Sequence, residues 1–353
     1  MRSGSANTVF SLLALLLASG CEHKPVTRFW TSMDCNFTAT LHGTGGKVPA
    51  EEALDRVQRE TDRLDKLFSD YDPASPIHVL RGRKGDTVTV GPEIARVLRK
   101  ALATMHGSGD AFDPGMHDLK QLWGIGTDRG HVPSTDSVKM FLVRRYGFLP
   151  GPGDTLPEPF AVLPDDRVVL RTDSLPIDLG GIAKGYAVDR LSNLLDSLGW
   201  PAHLVQGGGE IVVHGRKPSG PWHVGVKNPR RLDTVVGVIE LREGGAVSTS
   251  GDYERYFDSA GVRYHHIFDP RTGHPARSGT ISVTVLCPTS MDCDAITKPF
   301  FVLGPARSRR LADSLGLQAL WIREDPRTGM CGRATLGWNS RLDSRLAVCE
   351  TDW

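Results

Sequence analysis

The chain has 353 residues, with 42 Lys and Arg against 41 Asp and Glu and a formal net charge of +1. No field of one sign covers it, which argues against nucleic acid as a partner. Hydrophobic residues make up 39% and glycines number 39, a balance that fits a turn-rich globular chain and excludes a disordered or fibrous one.

At the start, Arg2 precedes an apolar run from Val9 to Ala18, which is too short to span a bilayer and suits the core of a signal peptide over residues 1–20. The run ends Ala18-Ser19-Gly20-Cys21, which resembles a bacterial lipobox. Cleavage before a lipidated Cys21 is one expectation; cleavage after a small residue, giving a freely secreted protein, is the other. The first places the chain in the bacterial cell envelope, held to the membrane by lipid on the periplasmic side, with residues 21–28 as a tether. No later segment reaches the roughly 18 apolar residues that a membrane span needs.

From Phe29 to His42 the residues alternate as in a strand. Leu54, Val57, Leu64, Leu67 and Phe68 recur at helical spacing within 51–71, and Pro92 opens a second helix that Gly107 ends. A third helix is expected over 183–198, stopping at Gly199. Apolar runs at 203–213, 222–227, 235–241 and 281–287 are strand candidates. Helices and strands mix without strict alternation, which favours an α+β fold. The Pro- and Gly-rich segment from Leu149 to Pro159 suits an interdomain linker or, as is commoner, a surface loop, and one main domain is expected. From about Arg323 an Arg- and Gly-rich tail looks like an appendage, so 323–353 is read as a C-terminal extension.

With Cys21 lipidated, Cys35, Cys287, Cys293, Cys331 and Cys349 remain, and an exported compartment permits disulfides. Connectivity stays open, with Cys331 and Cys349 the favoured pair because both lie in the tail. No CxxC pair suggests zinc.

Several common chemistries are missing. The string Gly43-Thr44-Gly45-Gly46-Lys47-Val48 lacks the hydroxyl that a phosphate-binding P-loop needs after its Lys. There is no HExxH, GxSxG or GxGxxG after a strand. What remains is concentrated in three places. Asp178-Leu179-Gly180-Gly181 leads through two glycines into the expected helix at Ala183-Lys184, a turn that bares backbone amides where they can hold a phosphate. A plain strand-to-helix turn is the competing reading. His265-His266-Ile267-Phe268-Asp269 offers a general base with an acid able to orient it. Asp292 and Asp294 are oxygen donors suited to magnesium.

The strings DLGGIAKGYAVD, QGGGEIVVHG, STSGDYERYF, YHHIFDPRTG and CDAITKPFFVLG occur in an order that resembles the ApbE-like FAD:protein FMN transferases, over roughly 29–322. GDAFDPGMHDLKQLWGIG resembles the flavin-contacting segment of that family. The resemblance implies an α+β fold related to the T-fold, FAD as substrate, Mg2+ as cofactor, and transfer of FMN to a Thr hydroxyl of a partner flavoprotein with release of AMP. The partners it implies are acceptor subunits of Rnf-type or sodium-pumping NADH:quinone reductase complexes. An FAD pyrophosphatase, with water in place of the Thr, and a binding-only FAD lipoprotein are the alternatives.

Position by position, the resemblance makes His266 the base, with Asp269 beside it. Met33, Ala111, Phe112, Asp113, Gly180, Tyr186 and Ile267 would line the flavin nucleotide, and Lys184 would touch phosphate or brace the loop. Magnesium would take the Ala183 carbonyl and the Asp294 carboxylate. The family's metal motif has Thr four positions after that Asp, where this chain has Lys298. Thr297 is displaced by one, and one helical position is a rotation of about 100°, so it is not expected to substitute.

Overall fold

A computed structural model describes residues 24–70, 72–80, 83–171, 177–335, 337–338, 342–344, 346–349 and 353. Cys21 and the leader therefore lie outside the described residues.

The alternation that begins near Phe29 folds as a hairpin and not as one strand. Val26–Ser32 and Cys35–Leu41 pair antiparallel around Met33 and Asp34, whose φ values are 49° and 54°. The run at 203–213 is also a hairpin, His203–Gly207 with Glu210–His214, turning at Gly208 with φ 65°. These four strands begin a nine-stranded sheet that continues through Gly244–Gly251, Ser282–Cys287, Gln318–Asp325, Gly329–Ala334 and Ala347–Val348. Every neighbouring pair is antiparallel except the last. Trp222–Lys227, Val235–Leu241 and Leu342–Ser344 form a separate three-stranded sheet.

Seven helices are present among the described residues: α1 (Ala50–Phe68), α2 (Pro76–Val79), α3 (Pro92–Gly107), α4 (His117–Trp123), α5 (Thr135–Tyr146), α6 (Ala183–Ser197) and α7 (Ser290–Ser314). The apolar stripe expected in the first helix is the buried face of α1, where Leu54, Val57 and Leu64 are fully covered. Helix and sheet together make the expected α+β fold.

The tail read as an appendage is part of this body. The boundary drawn at 322/323 falls inside Gln318–Asp325, which pairs with both Ser282–Cys287 and Gly329–Ala334. A Cys331–Cys349 disulfide fastens the last strand, and a second joins Cys287 to Cys293. Trp338 is buried with Trp222, Val224 and Ile322. The segment after Leu149 also packs down: the Leu156 amide donates to Asp110 at 2.9 Å and the Pro157 carbonyl accepts from Arg145 at 3.1 Å.

The site is positioned by the crossing of α6 and α7. At Gly185 a Cβ would overlap the Ser290 carbonyl and lie 2.7 Å from the Asp294 Cβ, so only glycine allows the two helices to approach this closely. Asp189, one helical turn further along α6, accepts the Ser290 and Met291 amides at 2.8 and 2.9 Å and so caps the N-terminus of α7. Thr289 adds the usual side-chain cap.

Candidate active site

The Asp178-Leu179-Gly180-Gly181 turn is pinned from several sides. The Asp178 amide donates to the Pro114 carbonyl at 2.6 Å, and its carboxylate accepts the Gly180 amide at 2.9 Å. The same carboxylate is paired with Lys120. Burial works against its charge, but Lys120 and the Gly180 amide outweigh that and hold Asp178 at about 2. Behind the turn the Lys184 ammonium donates to the Gly180 carbonyl at 2.9 Å and sits 3.7 Å from Glu210. Lys184 thus braces the turn that its own helix begins.

Asp294 lies fully buried on α7 directly behind that turn. Its Oδ2 accepts the Gly185 amide at 2.9 Å, and its Oδ1 is paired with the Lys298 ammonium, which also donates to the Asp294 carbonyl at 3.0 Å. Burial would raise the Asp294 pKa, but Lys184 and Lys298 dominate and keep it ionised. The companion carboxylate of the sequence pair, Asp292, faces outward to Lys100 at 2.5 Å. Glu210, at the head of the strand after the triple glycine, is buried against Asp294. Burial and that neighbouring charge push its carboxyl up to about 7 against the pull of Lys184 and Lys298.

His266 has the geometry a general base needs. Its Nδ1 is 3.2 Å from the Arg255 carbonyl, and a carbonyl can only accept, so Nδ1 carries the proton and Nε2 is left with a free lone pair. Burial first, then the cations Lys120 and Arg255, hold the imidazole well below its usual range, so it is neutral at neutral pH. His265 next to it is structural: it is buried, its Nε2 lies 3.2 Å from the Ala276 carbonyl, its ring packs on Phe301, and burial lowers it to about 4.

Other residues of the sequence reading are placed less centrally. Asp269 does not orient His266; its Oδ1 accepts the Arg271 amide at 2.9 Å and its carbonyl closes the turn to Gly273. The Ile267 side chain is buried in the core with Val283 and Phe301. Asp113 has its carboxylate occupied by Arg145, Tyr146 and the Gly115 amide at 2.7–2.8 Å, so it holds the 109–126 segment in shape and has little left for a ligand. Ala111 and Phe112 are buried beside it, and Phe112 closes on the turn, 3.2 Å from where a Gly181 Cβ would stand. Tyr186 donates to Glu93 at 2.8 Å, away from Lys184, and Met33 sits in the first hairpin turn.

Three groups carry no role in the sequence reading, although the quoted strings contain them. Lys120, Arg255 and Glu210 come from segments far apart in sequence, and only the fold brings them to the turn. Four cations, Lys120, Lys184, Arg255 and Lys298, stand with three carboxylates, Asp178, Glu210 and Asp294, one of which titrates near neutrality. The balance is positive and suits an anionic ligand of more than one charge.

The donor set does not fit magnesium ligated through Asp294. Both carboxylate oxygens are engaged, one by an ammonium and one by an amide. The Thr297 hydroxyl is turned away, accepting from Ser250 and donating to the Asp294 carbonyl, each at 2.9 Å. Ala183, the expected carbonyl ligand, is the buried first residue of α6. Among the described residues no three His, Cys, Asp or Glu side chains gather as a metal cluster.

A mixed-sheet fold with an amide turn, clustered cations and a neutral imidazole suits chemistry on a multiply charged anion such as a diphosphate, and comparison with known proteins gives the family. The ApbE family model matches residues 33–321, and the chain belongs to that family. The chain is 33% identical over 327 residues to the FAD:protein FMN transferase of Treponema pallidum, covering 86% of each chain. It is 27% identical to the Escherichia coli K12 enzyme of the same name, covering 90% of this chain and 93% of that one. The ApbE protein of Thermotoga maritima superposes with a TM-score of 0.79 at 29% identity, over 90% of this chain and 99% of the other.

Proposed function

We propose that this chain transfers FMN from FAD to a Thr hydroxyl of a partner flavoprotein, forming a phosphoester and releasing AMP. The observation that carries the reading is the neutral His266, with Nδ1 fixed on a carbonyl and Nε2 open, beside a cation-ringed amide turn. Nε2 takes the proton of the incoming hydroxyl while its oxygen attacks the FMN phosphorus. The new O–P bond forms as the diphosphate P–O bond breaks, and AMP leaves with that electron pair. The Gly181 amide with Lys120, Arg255 and Lys184 offsets the developing charge. No step runs through magnesium, whose expected ligands do not fit it here.

In the same reading the chain is an envelope lipoprotein anchored through Cys21 on the periplasmic side, supported by Arg2, the apolar run to Ala18 and the Cys that follows. No helix among the described residues is long and apolar enough to cross a membrane. Subunits of Rnf-type or sodium-pumping NADH:quinone reductase complexes are the proposed acceptors. Mass spectrometry of such a subunit after incubation with this protein and FAD tests the reading: a gain of one FMN on a Thr is expected, and an unmodified acceptor counts against it.

A further inference from the structure

Lys298 is built into the site. Its ammonium has three N–H donors, of which two engage Asp294 Oδ1 and the Asp294 carbonyl, leaving one for an anionic oxygen. The side chain runs along the glycine turn, with Cε 3.4 Å from where a Gly181 Cβ would stand, so that a Cβ there would touch Lys298 and crowd Phe112 at 3.2 Å. The ammonium therefore occupies the space between Asp294 and the turn. A cation bonded there to Asp294 has to displace it, leaving two positive charges side by side.

We propose that Lys298 stands where a divalent cation would stand, as the charge partner of Asp294, so that this chain binds no divalent metal through that carboxylate. One ammonium on one carboxylate leaves that pair neutral, whereas a divalent cation would leave it positive. The charge of a bound diphosphate then falls to Lys120, Lys184 and Arg255, which the fold supplies around the same turn. The inference rests on the flavin-transferase reading only for which anion is bound; the metal assignment stands apart from turnover.

Manganese(II) titration followed by electron paramagnetic resonance, with the full chain and with or without FAD, tests it. The wild-type signal is expected to be unchanged by Asp294→Asn. Lys298→Thr, which removes the ammonium and adds a hydroxyl oxygen, is expected to tighten manganese binding at one site by about 10–100-fold, a gain that adding Asp294→Asn removes. A wild-type manganese site that Asp294→Asn abolishes overturns the proposal, as does a folded Lys298→Thr that binds no more manganese than the wild type. Thermal melting reports whether Lys298→Thr folds; if it does not, the wild-type comparison decides alone. Because no arm reads transfer, an inactive protein leaves this test intact.

Discussion

The Gly185 amide donates to the Asp294 carboxylate at 2.9 Å across a helix crossing with no room for a Cβ. One contact thus sets both how α6 packs on α7 and where the buried charge of the site lies. Gly185→Ala is expected to destabilise the protein by about 1–3 kcal/mol, the usual cost of overpacking, and to reduce transfer as well. Urea unfolding and an FAD assay read the two effects. An unchanged midpoint would mean that the helices separate freely.

His266→Ala is expected to lower transfer by about 10²–10⁴-fold while FAD still binds, because a base acts in the transition state and adds little to ground-state affinity. Asp269→Asn should leave the rate nearly unchanged, since its carboxylate closes a turn. Equal losses from the two changes would restore Asp269 as the orienting group.

The pH dependence follows from the sign of the His266 shift. In the proposed mechanism the neutral imidazole is the active form, and its pKa is lowered well below about 6.5, so transfer should stay level through neutrality and fall only at more acid pH. A limb near pH 7 that Glu210→Gln removes belongs instead to Glu210, whose carboxyl is pushed up to about 7.

Stability should also fall in acid through His203, which is fully buried, bonded to Ser192 at 2.8 Å, and lowered by burial to about 4. The unfolded chain takes up a proton near pH 6.5 that the folded chain refuses until about 4. Stability present above the unfolded pKa is therefore lost as the pH falls between these values, by up to about 3 kcal/mol. Melting curves between pH 7 and pH 4.5 check this, with a shallower slope expected for His203→Gln.

Asp113→Ala is expected to cost about 3–5 kcal/mol, because it leaves the fully buried Arg145 guanidinium without its carboxylate. Circular dichroism melting reads this directly. A stable variant with weakened FAD binding alone would return Asp113 to the flavin.

Much of this was legible in the sequence, and the exceptions have physical causes. Periodicity and punctuation located α1, α3 and α6 because each has a buried stripe and a Pro or Gly at an end. The hairpin at Met33 and Asp34 was hidden because Met is not a usual left-handed turn former and no Gly follows Asp34, so the alternation ran on unbroken. The tail misread as an appendage pairs edge to edge with the sheet, and a ladder of backbone bonds leaves little mark on composition. A single helical step separates Thr297, bonded to Ser250, from Lys298, bonded to Asp294, and that much follows from the period of a helix. Lys120, Arg255 and Glu210 lie in three separate strings of the resemblance, and no spacing within any one of them shows that the fold brings them to one turn.

The most direct measurement counts AMP and flavinylated acceptor in the same reaction, with FAD supplied and the acceptor Thr present or replaced by Val. The expected result is one AMP for each FMN attached, with neither product when the Thr is absent. AMP accumulating steadily without the acceptor Thr would instead mean that water is the nucleophile and that the protein hydrolyses FAD.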